Sequence, residues 1–255
     1  MKKIAIVNNK GGVGKTTTVF NLAHYFAKKG LKTLAIDTDP QLNLTTNMGI
    51  QIDKLNASLG DYLLERVSEF NPEKINDNLY LISSGSNAEA DMSILQSEGP
   101  YYYQILNDFL EQLETIFDVV VIDTAPAFNA YTTSAIYTSS VYPVLIPGMN
   151  ELNGLNATIN FTRNLGKEIS GIILIKKEQT ALSSQIQEEL KNDFKGILLS
   201  KIVRKNIALS ESIISHQSIF EYSKRSNGAK DYKKVAEEKL VKFEEKVLEL
   251  LYSID

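Results

Sequence analysis

The 255-residue chain has no cysteine and only two histidines. Disulfides, thiolate nucleophiles and thiolate metal sites are therefore excluded, and there is too little imidazole for a histidine metal centre. Long apolar runs are also lacking. Met1-Lys2-Lys3-Ile4 leads straight into a strand of a few apolar residues, too short for a signal peptide or a spanning helix. The expectation is a cytoplasmic protein with no membrane partner. Nor is there an excess of basic charge. The net charge is −4, which argues against a globally basic nucleic-acid binder. What survives is nucleotide and Mg²⁺ chemistry, in a chain whose length suits one large α/β domain over residues 1–255.

The charge that is present is unevenly placed. Residues 195–234 carry nine Lys/Arg against three Asp/Glu, so one face could attract a polyanion. Apolar, β-branched runs recur at Ile4–Val7, Leu31–Ile36, Leu79–Ile82, Val119–Ile122, Val141–Ile146, Ile172–Ile175 and Ile197–Val203. Near-continuous hydrophobicity marks strands covered on both faces. Helical patterns lie between them, as at Val19, Phe20, Leu22, Ala23, Phe26 and Ala27, where Gly30 supplies the stop. The alternation predicts a twisted parallel sheet with helices on both faces. The stretch from Gln51 to Tyr103 is less regular, and a final amphipathic helix is expected over about Ala229 to Tyr252.

Chemistry concentrates at three strand ends. The first is "NNKGGVGKTT", residues 8–17, where Gly11, Gly12, Val13 and Gly14 precede Lys15, Thr16 and Thr17. Small residues let backbone N–H groups turn toward phosphate oxygens, and the following helix adds its positive end. Lys15 would reach the β and γ phosphates and the Thr16 hydroxyl one Mg²⁺ position. Asn9 stands where the usual first glycine belongs and Lys10 follows it, so the loop is a variant with a second lysine. The second strand end is "LAIDTDPQ", Leu34 to Gln41. Here Asp37 and Asp39 can both point into the site, one toward a metal-bound water and the other toward an attacking water. The third is "FDVVVIDTAP", Phe117 to Pro126, which delivers Asp123 to a position suited to Mg²⁺.

Together these stretches resemble the deviant Walker P-loop ATPases, specifically the ParA-type DNA partition ATPases, over nearly the whole chain. "NKGGVGKTTT" is similar to their phosphate loop, "IDTDPQ" to their second carboxylate motif and "VVVIDTAP" to their Walker B strand. "SKIVRKNIALSESI" and "EYSKRSNGAKDY" are similar to the segments that close the nucleotide pocket and follow it, which implies a cofactor contact for Asn206. The resemblance implies ATP and Mg²⁺ as cofactors, catalytic roles for Lys10, Lys15 and Asp39, and metal roles for Thr16, Asp37 and Asp123. It also implies that Lys10 reaches across an ATP-dependent homodimer to the other subunit's phosphates, much as an arginine finger does. The implied partners are non-specific DNA and a ParB-like centromere-binding protein, and the implied location is the nucleoid.

Relatives with other tasks fit less well. Those built around iron–sulfur chemistry need cysteines, and the membrane-positioning MinD type ends in a basic anchor, whereas "EEKVLELLYSID" is acidic. A positioning ATPase for non-DNA cargo, or a ligase of the dethiobiotin synthetase type, remains the alternative. Departures from the family pattern fall at Leu42, which replaces a frequent glycine, at a shortened loop after Pro147, and at Ala208, where many members carry a basic residue used for DNA. Lys201, Arg204, Lys205, Lys224, Arg225 and Lys230 are the candidates to supply phosphate contacts instead.

Overall fold

The computed structural model describes residues 1–175 and 181–240. Its strands are β1 (Lys2–Val7), β2 (Thr33–Asp37), β3 (Glu73–Lys74), β4 (Leu79–Ile82), β5 (Val119–Asp123), β6 (Ser140–Leu145) and β7 (Ile173–Leu174). They form one sheet ordered β3-β4-β2-β5-β1-β6-β7. All neighbours are parallel except β3, which pairs antiparallel with β4. In chain order the helices are α1 (Lys15–Lys28), α2 (Asn43–Asn47), α3 (Leu59–Leu63), α4 (Ala88–Ser97), α5 (Ile105–Glu111) and α6 (Ala130–Thr138). The remaining ones are α7 (Met149–Asn164), α8 (Ala181–Asp193), α9 (Ile207–Ile214), α10 (Ile219–Tyr222) and α11 (Asn227–Val235).

Alternation along each strand splits the core in two. Ile4, Ile6, Ala35, Val119 and Val121 join α1, α2, α9, α10 and α11 on one face. Ala5, Val7, Leu34, Ile36, Val120 and Ile122 join α3 to α8 on the other. Each fully buried Val, Leu or Ile contributes roughly 1.5–3 kcal/mol of transfer free energy, so a strand covered on both faces is held by every residue along it. The parallel, doubly covered sheet is the architecture expected from the sequence. Helix α1 buries the expected Val19, Phe20, Leu22, Ala23, Phe26 and Ala27. It ends where Gly30 adopts φ +82° and donates its N–H to the Ala27 carbonyl at 3.0 Å.

The structure differs from expectation at the sheet's edges. Ile197–Val203 is not a continuous strand; it meets the β7 segment only at the isolated parallel bridges Ile172↔Leu198 and Ile175↔Val203. The Ser200 amide between them donates to Glu238 Oε1 at 2.7 Å, so a side-chain carboxylate takes the place of a ladder partner. The two-residue β3 carried no apolar signal and was not anticipated. The last predicted helix starts slightly early, as α11, and widens to π-helical turns over Ala236–Leu240. Its predicted continuation to Tyr252 lies outside the described residues.

One buried group ties folding to pH. His24 on α1 packs against the Phe20 ring at 4.7 Å, its Nε2 has no hydrogen-bond partner among the described residues, and Glu221 lies 3.9 Å from Nδ1. Burial lowers its pKa, the Glu221 carboxylate only partly offsetting this. The folded state therefore holds His24 neutral, while the unfolded chain takes up a proton below about pH 6.5. This part of the stability is present above that pH and declines as pH falls below it. Thermal unfolding from pH 8 to pH 5 should show that decline, and His24→Phe should flatten it.

Candidate functional site

The site is assembled at the carboxyl ends of β1, β2 and β5 by register. In the parallel ladders Ile6 lies beside Asp123 and Asp37 lies beside Asp123, so one level of the sheet holds the exit to the loop and two carboxylates. Two threonines lock that level. Thr38 donates to the Asp123 carbonyl through its amide (3.0 Å) and its hydroxyl (2.6 Å), and the Thr124 hydroxyl donates to the Ile6 carbonyl at 2.9 Å.

The loop folds around its own polar groups. Asn8, almost fully buried, donates Nδ2 to the Val144 carbonyl at 2.7 Å and accepts the Lys10 amide at 2.9 Å, anchoring the loop to β6. Gly12 and Gly14 take φ of +73° and +94°, a left-handed conformation that only glycine adopts at little cost. Gly14 caps α1, and a Cβ there would overlap Ile175 Cδ1. Lys15 is 6% exposed and donates Nζ to the Lys10 carbonyl at 3.1 Å. Burial lowers its pKa, and Asp123 and Asp39 act in the opposite direction. Lys10 itself is half-buried.

The three aspartates share a location but not a bonding state. Asp37 is fully buried and bonded: Oδ2 accepts the Thr45 amide (2.9 Å) and hydroxyl (2.8 Å), and Oδ1 accepts the Asp39 amide (3.2 Å). Burial raises its pKa to about 6 against those three bonds. Asp39 lies in the turn after β2, where Oδ1 accepts the Gln41 amide at 3.0 Å. Leu42 follows at φ +56° and is buried, so a leucine occupies the strained backbone where the family pattern favours glycine. Asp123 is fully buried, and neither carboxylate oxygen has a hydrogen-bond partner among the described residues. Burial and the Asp37 charge push its pKa well up; the Thr16 hydroxyl and Lys15 oppose this from nearby, Thr16 without completing a bond.

An unpartnered buried carboxylate costs several kcal/mol unless something cationic meets it. The residues present fit a divalent cation that keeps most of its water, since Asp123 and Thr16 offer hard oxygens beside the loop. Among the described residues no group of three or more His, Cys, Asp or Glu could hold a metal ion. Most ligands of such a cation would therefore come from water and phosphate.

Beside the loop lies a cavity of about 340 Å³ lined by Thr17, Ile175, Val203, Asn206, Leu209 and Tyr232, among others. Asn206 caps α9, accepting the Ala208 amide at 3.0 Å. The structure places Asp37, Asp39 and Asp123 at the same sheet edge as the loop from Gly11 to Thr17, with Asn206 beside Thr17 in the cavity wall. It also shows contributions the motifs do not reveal: Asn8, Thr38, Thr124 and Tyr232, whose hydroxyl meets Thr18 Oγ1 at 3.1 Å. Tyr232 carried a signal only as the last residue of "EYSKRSNGAKDY", the stretch that resembles the family's C-terminal segment. Two of the six basic candidates are already engaged. Lys201 and Arg204, the latter half-exposed, both bind the buried Asp231, each at 2.8 Å; Lys205, Lys224, Arg225 and Lys230 are exposed.

The family is shown by comparison. A family model described as an AAA domain matches residues 1–175. The sporulation initiation inhibitor protein Soj of Bacillus subtilis is 31% identical over 250 residues, covering 93% of this chain and 97% of Soj. The chromosome partitioning protein ParA of Myxococcus xanthus is 29% identical over 242 residues, 90% of this chain and 84% of that protein. The chain belongs to the ParA/Soj family of P-loop ATPases. Among solved structures, the ATP complex of a Cyanothece McdA variant superposes with TM-score 0.83 at 22% identity, covering 93% and 95% of the two chains. Cobyrinic acid a,c-diamide synthase of Mycobacterium smegmatis, bound to an ATP analogue and magnesium, superposes with TM-score 0.80 at 21% identity over 96% and 97%. At such identities the likeness is one of fold, and it extends to enzymes of other activity.

The Gly14 contact yields a test. Gly14→Ala meets both the positive φ and the Ile175 methyl, and should cost roughly 1–3 kcal/mol. Ile175→Val deletes Cδ1, so urea denaturation of the double variant should recover the steric part of that loss and leave the backbone part.

Proposed function

We propose that this protein binds and hydrolyses Mg²⁺-ATP at the loop and uses the cycle to partition DNA. The observation that carries the reading is the convergence, at one edge of the sheet, of buried Lys15, the unpartnered Asp123 carboxylate and the cavity bounded by Thr17 and Asn206. The triphosphate lies along the amides of Gly11 to Thr17 with Lys15 exchanging its Lys10 carbonyl for phosphate oxygen. The adenine enters the cavity between Ile175, Val203 and Leu209, with the Asn206 amide at its polar edge. The Thr16 hydroxyl and Asp123 would hold Mg²⁺, which would supply positive charge to the transferring phosphate. Asp37, whose oxygens already accept three bonds, reaches the cation only through a water. Asp39, less encumbered, orients the attacking water.

Lys10 completes the site from the other protomer. Two facing triphosphates repel, and a lysine from each side offsets that charge where water is excluded. The names of the Soj and ParA relatives, one of them a chromosome partitioning protein, support a role in segregation over the ligase alternative. The ATP dimer would bind DNA without sequence preference through Lys205, Lys224, Arg225 and Lys230. A ParB-like centromere-binding protein would stimulate hydrolysis and release, placing the protein on the nucleoid.

Two experiments test the cycle. Lys10→Ala should still bind ATP as a monomer, but sedimentation with a slowly hydrolysed analogue should show no dimer; a stable dimer refutes the trans role. For DNA, each phosphate contact contributes about 0.9 to the slope of log affinity against log salt. Lys205→Ala with Arg225→Ala should therefore flatten the slope by roughly two contacts per protomer. Lys201→Ala should leave the slope nearly unchanged, because that ammonium is committed to Asp231.

A further inference from the structure

The same turn of α11 touches both halves of the site. Gly228, Asp231 and Tyr232 lie at i, i+3 and i+4, on one helix face. A Cβ at Gly228 would approach Leu209 Cγ to 2.9 Å and Asn206 Nδ2 to 3.2 Å, so α11 is packed directly against the start of α9. Asp231 is 0% exposed and accepts four hydrogen-bonding groups: the Arg204 amide (3.1 Å), Arg204 Nε (2.8 Å), Arg204 Nη2 (2.8 Å) and Lys201 Nζ (2.8 Å). Tyr232, fully buried, meets Thr18 Oγ1, and that hydroxyl also donates to the Gly14 carbonyl at 2.8 Å.

The wall that Asp231 grips has little backbone pairing of its own. The backbone of residues 197–203 pairs with the sheet only at isolated bridges, although Leu199 and Val203 are buried in the core, and Val203, Arg204 and Asn206 line the cavity. Only the carboxylate of this ion cluster is buried; such a charge needs its partners, and so it fixes one geometry and penalises others. Here the fixed element includes a backbone amide, that of Arg204, two residues before Asn206.

We infer that Asp231 is a positioning residue for the nucleoside: by clamping the Arg204 backbone and guanidinium it sets the cavity wall. The inference rests on the nucleotide reading of the cavity. Phosphate binding should be indifferent to the clamp, because the loop is anchored separately by Asn8 and the β1–β5 register. Base binding should depend on it.

Calorimetry of the full chain with Mg²⁺-ATP and with Mg²⁺-tripolyphosphate separates these contributions. Wild type must bind ATP more tightly than tripolyphosphate; if it binds neither, the nucleotide reading fails, and this inference with it. Asp231→Asn should weaken ATP at least tenfold and tripolyphosphate less than twofold, raising the KM for ATP with kcat within threefold. Asp231→Glu, which keeps the charge, should restore part of the ATP affinity. Equal weakening of both ligands would show general loosening and overturn the assignment, as would unchanged ATP affinity. Should Asp231→Asn fail to fold, Arg204→Leu, at a half-exposed side chain, is predicted to lose ATP affinity with the same selectivity, and its indifference would overturn the proposal.

Discussion

The site depends on the register of β5 between β1 and β2. Asp123 sits beside Ile6 on one side and Asp37 on the other, and successive residues of a strand point to opposite faces. A slip of one residue would turn Asp123 away from α1 and send Val120 and Ile122 into the wrong core. The apolar cost of that slip is several side chains at roughly 1.5–3 kcal/mol each, far more than any single bond in the site. Hydrophobic sorting thus holds a buried, unpartnered carboxylate in place, a group that would not settle there on its own. Thr38 and Thr124 then pin the strand ends with hydrogen bonds across the same level.

Much of this was legible in the sequence because the signals were local. A glycine-rich loop between an apolar run and a helical pattern needs no tertiary context to be read, nor does an apolar strand that ends in aspartate. Six of the strands, all but β3, lay within a residue or two of their apolar runs. The weaker edge was harder to read. Ile197–Val203 has strand composition, but Glu238, far along the chain, captures the Ser200 amide, and no local pattern announces that competition. Asp231 illustrates the same limit. It reads as one acid in a basic stretch, and only the fold reveals that it is buried beneath two of the cations that composition assigned to a surface patch.

That burial changes what the positive segment means. Net charge along a sequence treats each lysine and arginine as equally available, whereas here two are paired with a buried carboxylate and committed to geometry. The exposed cations not paired with Asp231 are Lys195, Lys205, Lys224, Arg225, Lys230, Lys233 and Lys234, seven of the nine that composition counts. Pairing two protomers would matter more to a polyanion than the charge of either alone. The inward stripe of α11 shapes the cavity, and its outward Lys230, Lys233 and Lys234 face solvent, so one short helix belongs to both surfaces.

The cavity straddles two regions of unequal cohesion. Its loop side grows from β1, which is laddered on both edges by β5 and β6, while its far wall hangs on the two-residue β7 and two single bridges. Local opening in proteins starts where backbone bonds are few. Amide hydrogens of residues 197–206 should therefore exchange with solvent long before those of β1 and β5. A bound ligand touching both walls would slow that exchange selectively, making the loose edge of the sheet, and not its centre, the part that reports occupancy.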